Sequence, residues 1–199
     1  MKKTLLIFLL APCFILAQTI SEKYVKQHIY TLSNDSMQGR KAGTDGIEKA
    51  AKYIESEFKR IGLKSFNSDS FRQEFKFINP RSSNSELLTL SNVIGLLEGS
   101  KMKNEYVIIS AHYDHLGKKD VGDGDLIFNG ANDNASGVAA ILMLAEYFKK
   151  ANINKRSLLF VAFTAEEMGL VGSNYFGKTI SPDSIIAGIN IEMLSLIHI

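Results

Sequence analysis

Apolar positions recur along this chain with two periods, and the switches between them mark out its elements. Tyr24, Val25, His28, Ile29 and Leu32 stand at helical spacing, so residues 21–31 are expected to form an amphipathic helix, with His28 on its apolar stripe as a packing residue. Ser33–Thr44, rich in Gly, Asn, Ser and Asp, reads as a loop. Beyond it Ile47, Ala50, Ala51, Ile54, Phe58 and Ile61 share one helical face and Glu48, Lys52, Glu55 and Lys59 occupy the other. Thr44 or Asp45 is placed to cap this second helix and Gly62 to end it.

The period then becomes two. Between Ser70 and Ile78, Phe71, Gln73, Phe75 and Phe77 alternate with Arg72, Glu74 and Lys76, predicting a half-buried antiparallel strand at or near a sheet edge. Asn79–Ser85 is a polar turn, and Asn92–Glu98 a returning strand. Tyr106–Ala111 is apolar on both faces and ends at His112, as a central strand would. A helix is expected over residues 136–150, capped by Asp133-Asn134 and turning Val138, Ile141, Leu142, Ala145 and Phe148 inward. Ser157–Phe163 is another fully buried strand, ending at Glu166-Glu167, and Ile185–Ile191 is a third, ending at Glu192. Strand, helix, strand, short helix, strand is a parallel pattern, so the fold class is α/β, a mixed, mainly parallel central sheet flanked by helices.

Composition narrows the setting. The chain has 199 residues, 45% hydrophobic and 22% charged, enough for one domain with a real core. Its start does not belong to that core: Lys2 and Lys3 precede an apolar run to Ala17, the layout of a secretory signal peptide over residues 1–17, to be cut near Ala17-Gln18. The run is shorter than the roughly 20 residues a spanning helix needs, and Pro12 interrupts it, so no stable membrane insertion is expected after cleavage. The whole chain carries 23 Lys+Arg against 21 Asp+Glu; without Lys2 and Lys3 the balance is 21 against 21, and nothing suggests a nucleic-acid partner. Cys13, the only cysteine, leaves with the signal, so an exported, periplasmic or secreted chain would have no internal disulfide.

The candidate chemistry sits at the strand ends. In an open parallel sheet ligands bind beyond the carboxyl ends of the strands, where His112, Glu166-Glu167 and Glu192 fall, with Asp133 joining from a helix start. One imidazole with several carboxylates is a nitrogen and oxygen donor set that suits zinc. Zinc polarises a carbonyl and acidifies water, and the water still needs a base. Adjacent glutamates point different ways, so one of Glu166 and Glu167 can hold metal while the other handles the proton. Asp114, two residues after His112, is placed to orient that histidine through its second ring nitrogen.

Asn34–Thr44, Asn92–Gly95, Ala111–Gly117, Asn129–Gly137, Thr164–Ser173 and Asn190–Met193 together resemble the M28 metallopeptidases, exported zinc aminopeptidases, in the family's order and over most of the mature chain. The resemblance implies a zinc-peptidase fold and a site of two zinc ions acting on peptide substrates. In it Asp133 bridges the metals, His112 and Glu192 each bind one or the other, Glu167 is a terminal ligand, Glu166 the general base and Asp114 the orienting aspartate. It also implies a cis peptide at Asp133-Asn134. Glu192 stands where many members have an aspartate, and the family's last zinc histidine falls beyond residue 199. Residues 18–194 are thus expected to be a peptidase domain lacking its C-terminal part. Residues 195–199 do not continue the family pattern and resemble translated adapter sequence. The rival readings are a glutaminyl cyclase or carboxypeptidase on the same fold, or a catalytically silent binding module. Lys118–Asp125 lacks the ligand spacing of a calcium loop and reads as a rim of the site.

Overall fold

The computed structural model describes residues 20–66, 69–80 and 86–194. The expected signal segment 1–17, the tail 195–199 and residues 81–85 of the polar turn lie outside the described residues.

Helix α1 (Glu22–Leu32) buries His28 and Leu32, and α2 (Asp45–Ile61) buries the whole predicted stripe from Ile47 to Ile61. Gly62 ends α2 with a φ of 80°, a left-handed turn that a side chain resists, and its amide returns to the Phe58 and Lys59 carbonyls. Strands β1 (Lys64–Ser65), β2 (Arg72–Ile78), β3 (Leu87–Leu97) and β4 (Met102–His112) follow. A two-stranded ribbon pairs β5 (Gly117–Lys118) with β6 (Ile127–Phe128). Helix α3 (Ser136–Ala151), β7 (Arg156–Phe163), α4 (Val171–Gly177) and β8 (Ile185–Asn190) complete the described chain.

The main sheet runs β1-β3-β7-β4-β8, with β2 also on β3. It is antiparallel around β3 and parallel where β4 lies between β7 and β8. Side chains of β7 leave alternately to two cores. Leu158, Phe160 and Ala162 enter the large core beneath the first three helices; Leu159 and Val161 enter a smaller one with Ile94, Ile108, Phe176 and Ile180. Burial on both faces explains why β7 is apolar without alternation. As the alternation in its sequence predicted, β2 lies at the edge, pairing with β3 alone among the described residues.

The segment before α2 is a loop, as expected, and carries a 3-10 stretch, Asp35–Arg40, broken by positive φ at Gln38, Gly39 and Arg40. Two expectations need correction. The start of α3 is capped by one residue of the expected pair, since Gly137 N donates to Asn134 Oδ1 at 3.0 Å and Asp133 is left for other work. Most clearly, β8 is not a buried strand. It pairs with β4 alone among the described residues, and Ile186 and Ile189 are 50% and 53% exposed. Apolarity alone does not separate a central strand from one with an open flank.

His28 is 1% exposed, and its Nδ1 lies 2.6 Å from the Tyr53 hydroxyl. Burial holds its pKa below the ordinary 6.5, against the pull of Glu57 and Glu146 and with the push of Arg60. On acidification the unfolded chain therefore takes up this proton before the folded one, and stability falls. Urea unfolding of wild type and His28→Gln between about pH 7.5 and about pH 5.5 should show the steeper loss in wild type, beginning near the ordinary histidine range.

Candidate metal centre

The parallel register of β4 on β7 sets His112 opposite Phe163. Tyr113 N donates to Phe163 O at 2.9 Å, carrying the pairing one residue past β4. On the other flank Ile191 N donates to Ser110 O at 2.8 Å. Three segments thus leave the sheet at one edge, carrying residues 112–115, 164–167 and 191–193.

Polar anchors fix each departure. Asn92, fully buried in β3, accepts from Thr164 N at 3.1 Å and donates to Gly172 O at 2.9 Å. Asp114, also fully buried, accepts from Glu166 N on Oδ1 at 3.0 Å and from Glu167 N on Oδ2 at 3.2 Å. One carboxylate therefore sets the path of both glutamates. Asn134 donates to Ile191 O at 3.0 Å and accepts from Met193 N at 3.4 Å, so it brackets Glu192. The Asp133-Asn134 peptide is cis.

Arg40 ties the loop ahead of Asp133 to the end of β4. It is 1% exposed, and its guanidinium donates to the carbonyls of Leu32, Tyr113, Asn129 and Gly130 at 2.5 to 2.9 Å. Burial pulls its pKa down to about 10, against the charges of Asp114 and Asp133. The approach at Gly130 leaves no room for a side chain: φ is 59°, and a Cβ there would lie 2.3 Å from Asp133 O and 2.6 Å from the His115 ring.

On this frame the donors converge. His112 Nε2 lies 3.0 Å from Asp133 Oδ1, while His115 Nδ1 lies 3.9 Å from Asp133 Oδ2 and 2.8 Å from Glu167 Oε1. His115, Asp133 and Glu167 each bring a ligand atom within 4.8 Å of the others. Glu166 stands apart, on a cavity of about 220 Å³ shared with His112 and Glu192. Burial raises its pKa; the His112 charge lowers it, and Glu167, Asp114 and Glu192 raise it further. For His112, burial works downward and the carboxylates of Asp114, Asp133 and Glu166 prevail, raising it. A second cavity, about 620 Å³, opens beside His115 and Glu167. Imidazole nitrogens and carboxylate oxygens that lie partly buried and within a few ångströms fit a borderline divalent cation such as zinc.

The predicted residues assemble unevenly. His112, Asp133 and Glu167 meet, with Asp114 beneath them. The nearest acceptor to His112 Nδ1 is the Asp114 carbonyl at 3.2 Å; the carboxylate, 3.7 Å away, is engaged with the two amides, so Asp114 orients the glutamates more directly than the histidine. Glu192 reaches the smaller cavity and not the close cluster, its Oε1 accepting from Asn190 Nδ2 at 2.7 Å. His115 and Arg40 had no assigned role in the sequence. A second histidine three residues after the strand-ending one was the available signal for His115. The run Lys118–Asp125, expected at the rim, spans the connection of the β5–β6 ribbon.

The Peptidase family M28 model matches residues 92–197, more than half of the chain. The chain belongs to peptidase family M28. Among this M28 chain's relatives, a probable zinc metalloprotease of Pyrenophora teres f. teres (strain 0-1) is 30% identical over 143 residues, covering 72% of the chain and 29% of the relative. The aminopeptidase YwaD of Bacillus subtilis (strain 168) is 35% identical over 89 residues, covering 44% of the chain and 17% of the relative. Among solved structures, the glutaminyl cyclase of Tannerella forsythia has a TM-score of 0.66 at 21% identity, covering 88% of the chain and 62% of that structure. The M28 chain spans less than a third of the length of these two relatives.

Arg40→Met would remove the side-chain donor from the carbonyls of Leu32, Tyr113 and Asn129, while Gly130 O keeps its bond from Ala135 N at 3.1 Å. Each orphaned group costs about 1–3 kcal/mol, so a loss of roughly 3 kcal/mol or more is expected in urea unfolding. A loss under about 1 kcal/mol would show that water satisfies these carbonyls.

Proposed function

We propose that this M28 chain is the site-bearing part of a zinc-dependent exopeptidase, an aminopeptidase that hydrolyses N-terminal residues of peptides. One observation carries the reading: Asp133 presents Oδ1 to His112 and Oδ2 to His115, with Glu167 in the same close group, so its carboxylate has a separate donor at each oxygen, as one shared between two metal positions would. The zinc metalloprotease and aminopeptidase named among its relatives support it.

His112, Asp133, Glu167 and Glu192 are the protein ligands in this proposal. Bound zinc supplies Lewis acidity to the scissile carbonyl and to water. Glu166, beside the cluster and outside it, accepts the proton from water as its oxygen adds to the carbonyl carbon, then delivers that proton to the departing amine nitrogen. Burial and the neighbouring carboxylates raise its pKa, the direction that helps it hold the proton between the two transfers. Asp114 holds the backbone of Glu166 and Glu167, so that one glutamate faces the ligand cluster and its neighbour the smaller cavity.

The glutaminyl cyclase likeness shows that this fold carries other reactions, so the choice rests on the site. A reaction with a single zinc leaves the second face of Asp133 without a task. Export is part of the proposal, resting on the basic and apolar character of residues 1–17. Among the described residues, no helix is long and apolar enough to cross a membrane.

Glu166→Gln should lower cleavage of a peptide with a free N-terminus by at least about 100-fold while zinc content stays unchanged. Turnover near wild type would remove Glu166 from the proton-transfer role, and equal cleavage of an N-acetylated peptide would remove the aminopeptidase reading. Mass spectrometry of protein from the periplasm or medium should find a chain beginning at Gln18; an intact Met1 there would refute cleavage.

A further inference from the structure

The family resemblance leaves open which zinc His112 and Glu192 bind and places the last zinc histidine beyond residue 199. Among the described residues a second imidazole, His115, stands beside Asp133 and Glu167. We propose that His115 binds the second metal through Nδ1, beside Asp133 Oδ2 and Glu167 Oε1. This rests on the metallopeptidase reading and adds a ligand to it.

Three observations converge on that nitrogen. Nδ1 lies 2.8 Å from Glu167 Oε1 and 3.9 Å from Asp133 Oδ2, so it faces carboxylates from two separate segments. One N–H cannot serve both oxygens well, whereas a cation among the three atoms serves all of them. Ligands about 2.0–2.1 Å from a tetrahedral zinc stand roughly 3.4 Å apart, between the two distances found.

The backbone is also set for the task. His115 N donates to Arg40 O at 3.1 Å and Glu167 N to Asp114 Oδ2 at 3.2 Å, so both side chains start from pinned positions. The missing Cβ at Gly130 leaves the space that the His115 ring occupies, 2.6 Å from where that atom would be. The His115 side chain is 11% exposed and that of Glu167 24%, so the pair is partly shielded and still open to an entering ion. An ordinary hydrogen bond explains the contact with Glu167. It does not explain the second carboxylate on the same nitrogen.

The test uses zinc itself on the purified protein, with equilibrium dialysis for stoichiometry and ring-nitrogen NMR of histidine-labelled wild type for ligation. Wild type should bind two zinc ions, and addition of zinc should move His112 Nε2 and His115 Nδ1 to metal-bound shifts. His115→Ala should keep one tight zinc and weaken the other by more than the roughly 100-fold that loss of an outer-shell partner costs. His115→Gln retains a donor for Glu167, so it should bind two zinc ions if His115 only hydrogen-bonds, and one tightly if it is a ligand. Two tight zinc ions with the His115 Nδ1 shift unmoved would overturn the inference and leave the metallopeptidase reading standing. No tight zinc in wild type would overturn both. The wild-type spectra decide the matter even if both variants fail to fold.

Discussion

The parallel pairing of β4 with β7 is the constraint on which the rest depends. With His112 opposite Phe163, both strands finish at the same level, and the residues that follow must share one small volume. A slip of one residue would turn every side chain of β7 to the other face, and the two cores, one built from many more residues than the other, oppose that slip. Hydrophobic packing far from the site thus sets which polar groups meet at the edge. Asp114 converts this alignment into aim: its carboxylate, wholly buried, is spent on two successive amides, and two adjacent glutamates diverge as a result.

Much of this was legible in the chain because its causes are local. The stripe of α2, the left-handed stop at Gly62 and the unbroken apolarity of β7 each follow from spacing and backbone preference. The strand-end location of His112, Glu166 and Glu167 followed from the same logic. What escaped depends on partners distant in sequence. The open flank of β8 cannot be read from Ile185–Ile191, since a strand does not encode the number of its neighbours. Arg40 looked like one more polar residue of a loop, because its partners are 8 to 90 residues away. His115 was hidden by its neighbours: next to a stronger strand-end histidine, it needed Asp133 and Glu167 in place before its orientation meant anything.

The edge gathers Asp114, Asp133, Glu166, Glu167 and Glu192 around two imidazoles, and such crowding opposes folding unless positive charge or hydrogen bonds answer it. Arg40 answers part of it from below, with Asp114 and Asp133 acting on it electrostatically. Amides answer part at Asp114. The Glu166 pKa is raised first by burial and then by Glu167, Asp114 and Glu192, and a divalent cation among the donors would offset the carboxylate part of that rise. Folding and loading of such a site are then linked equilibria.

Arg40 recognises only main-chain oxygens. Its contacts with Leu32 and Tyr113 are blind to the identity of those side chains, so the constraint on those buried positions comes from the core around them and not from the clamp, while the guanidinium itself has no stand-in of equal reach. Variation and constraint are thereby separated within one structural unit. The clamp itself places no demand on the side chains it holds, whose limits come from their own packing, and a substitution of Arg40 would have to be accompanied by a rebuilt backbone path.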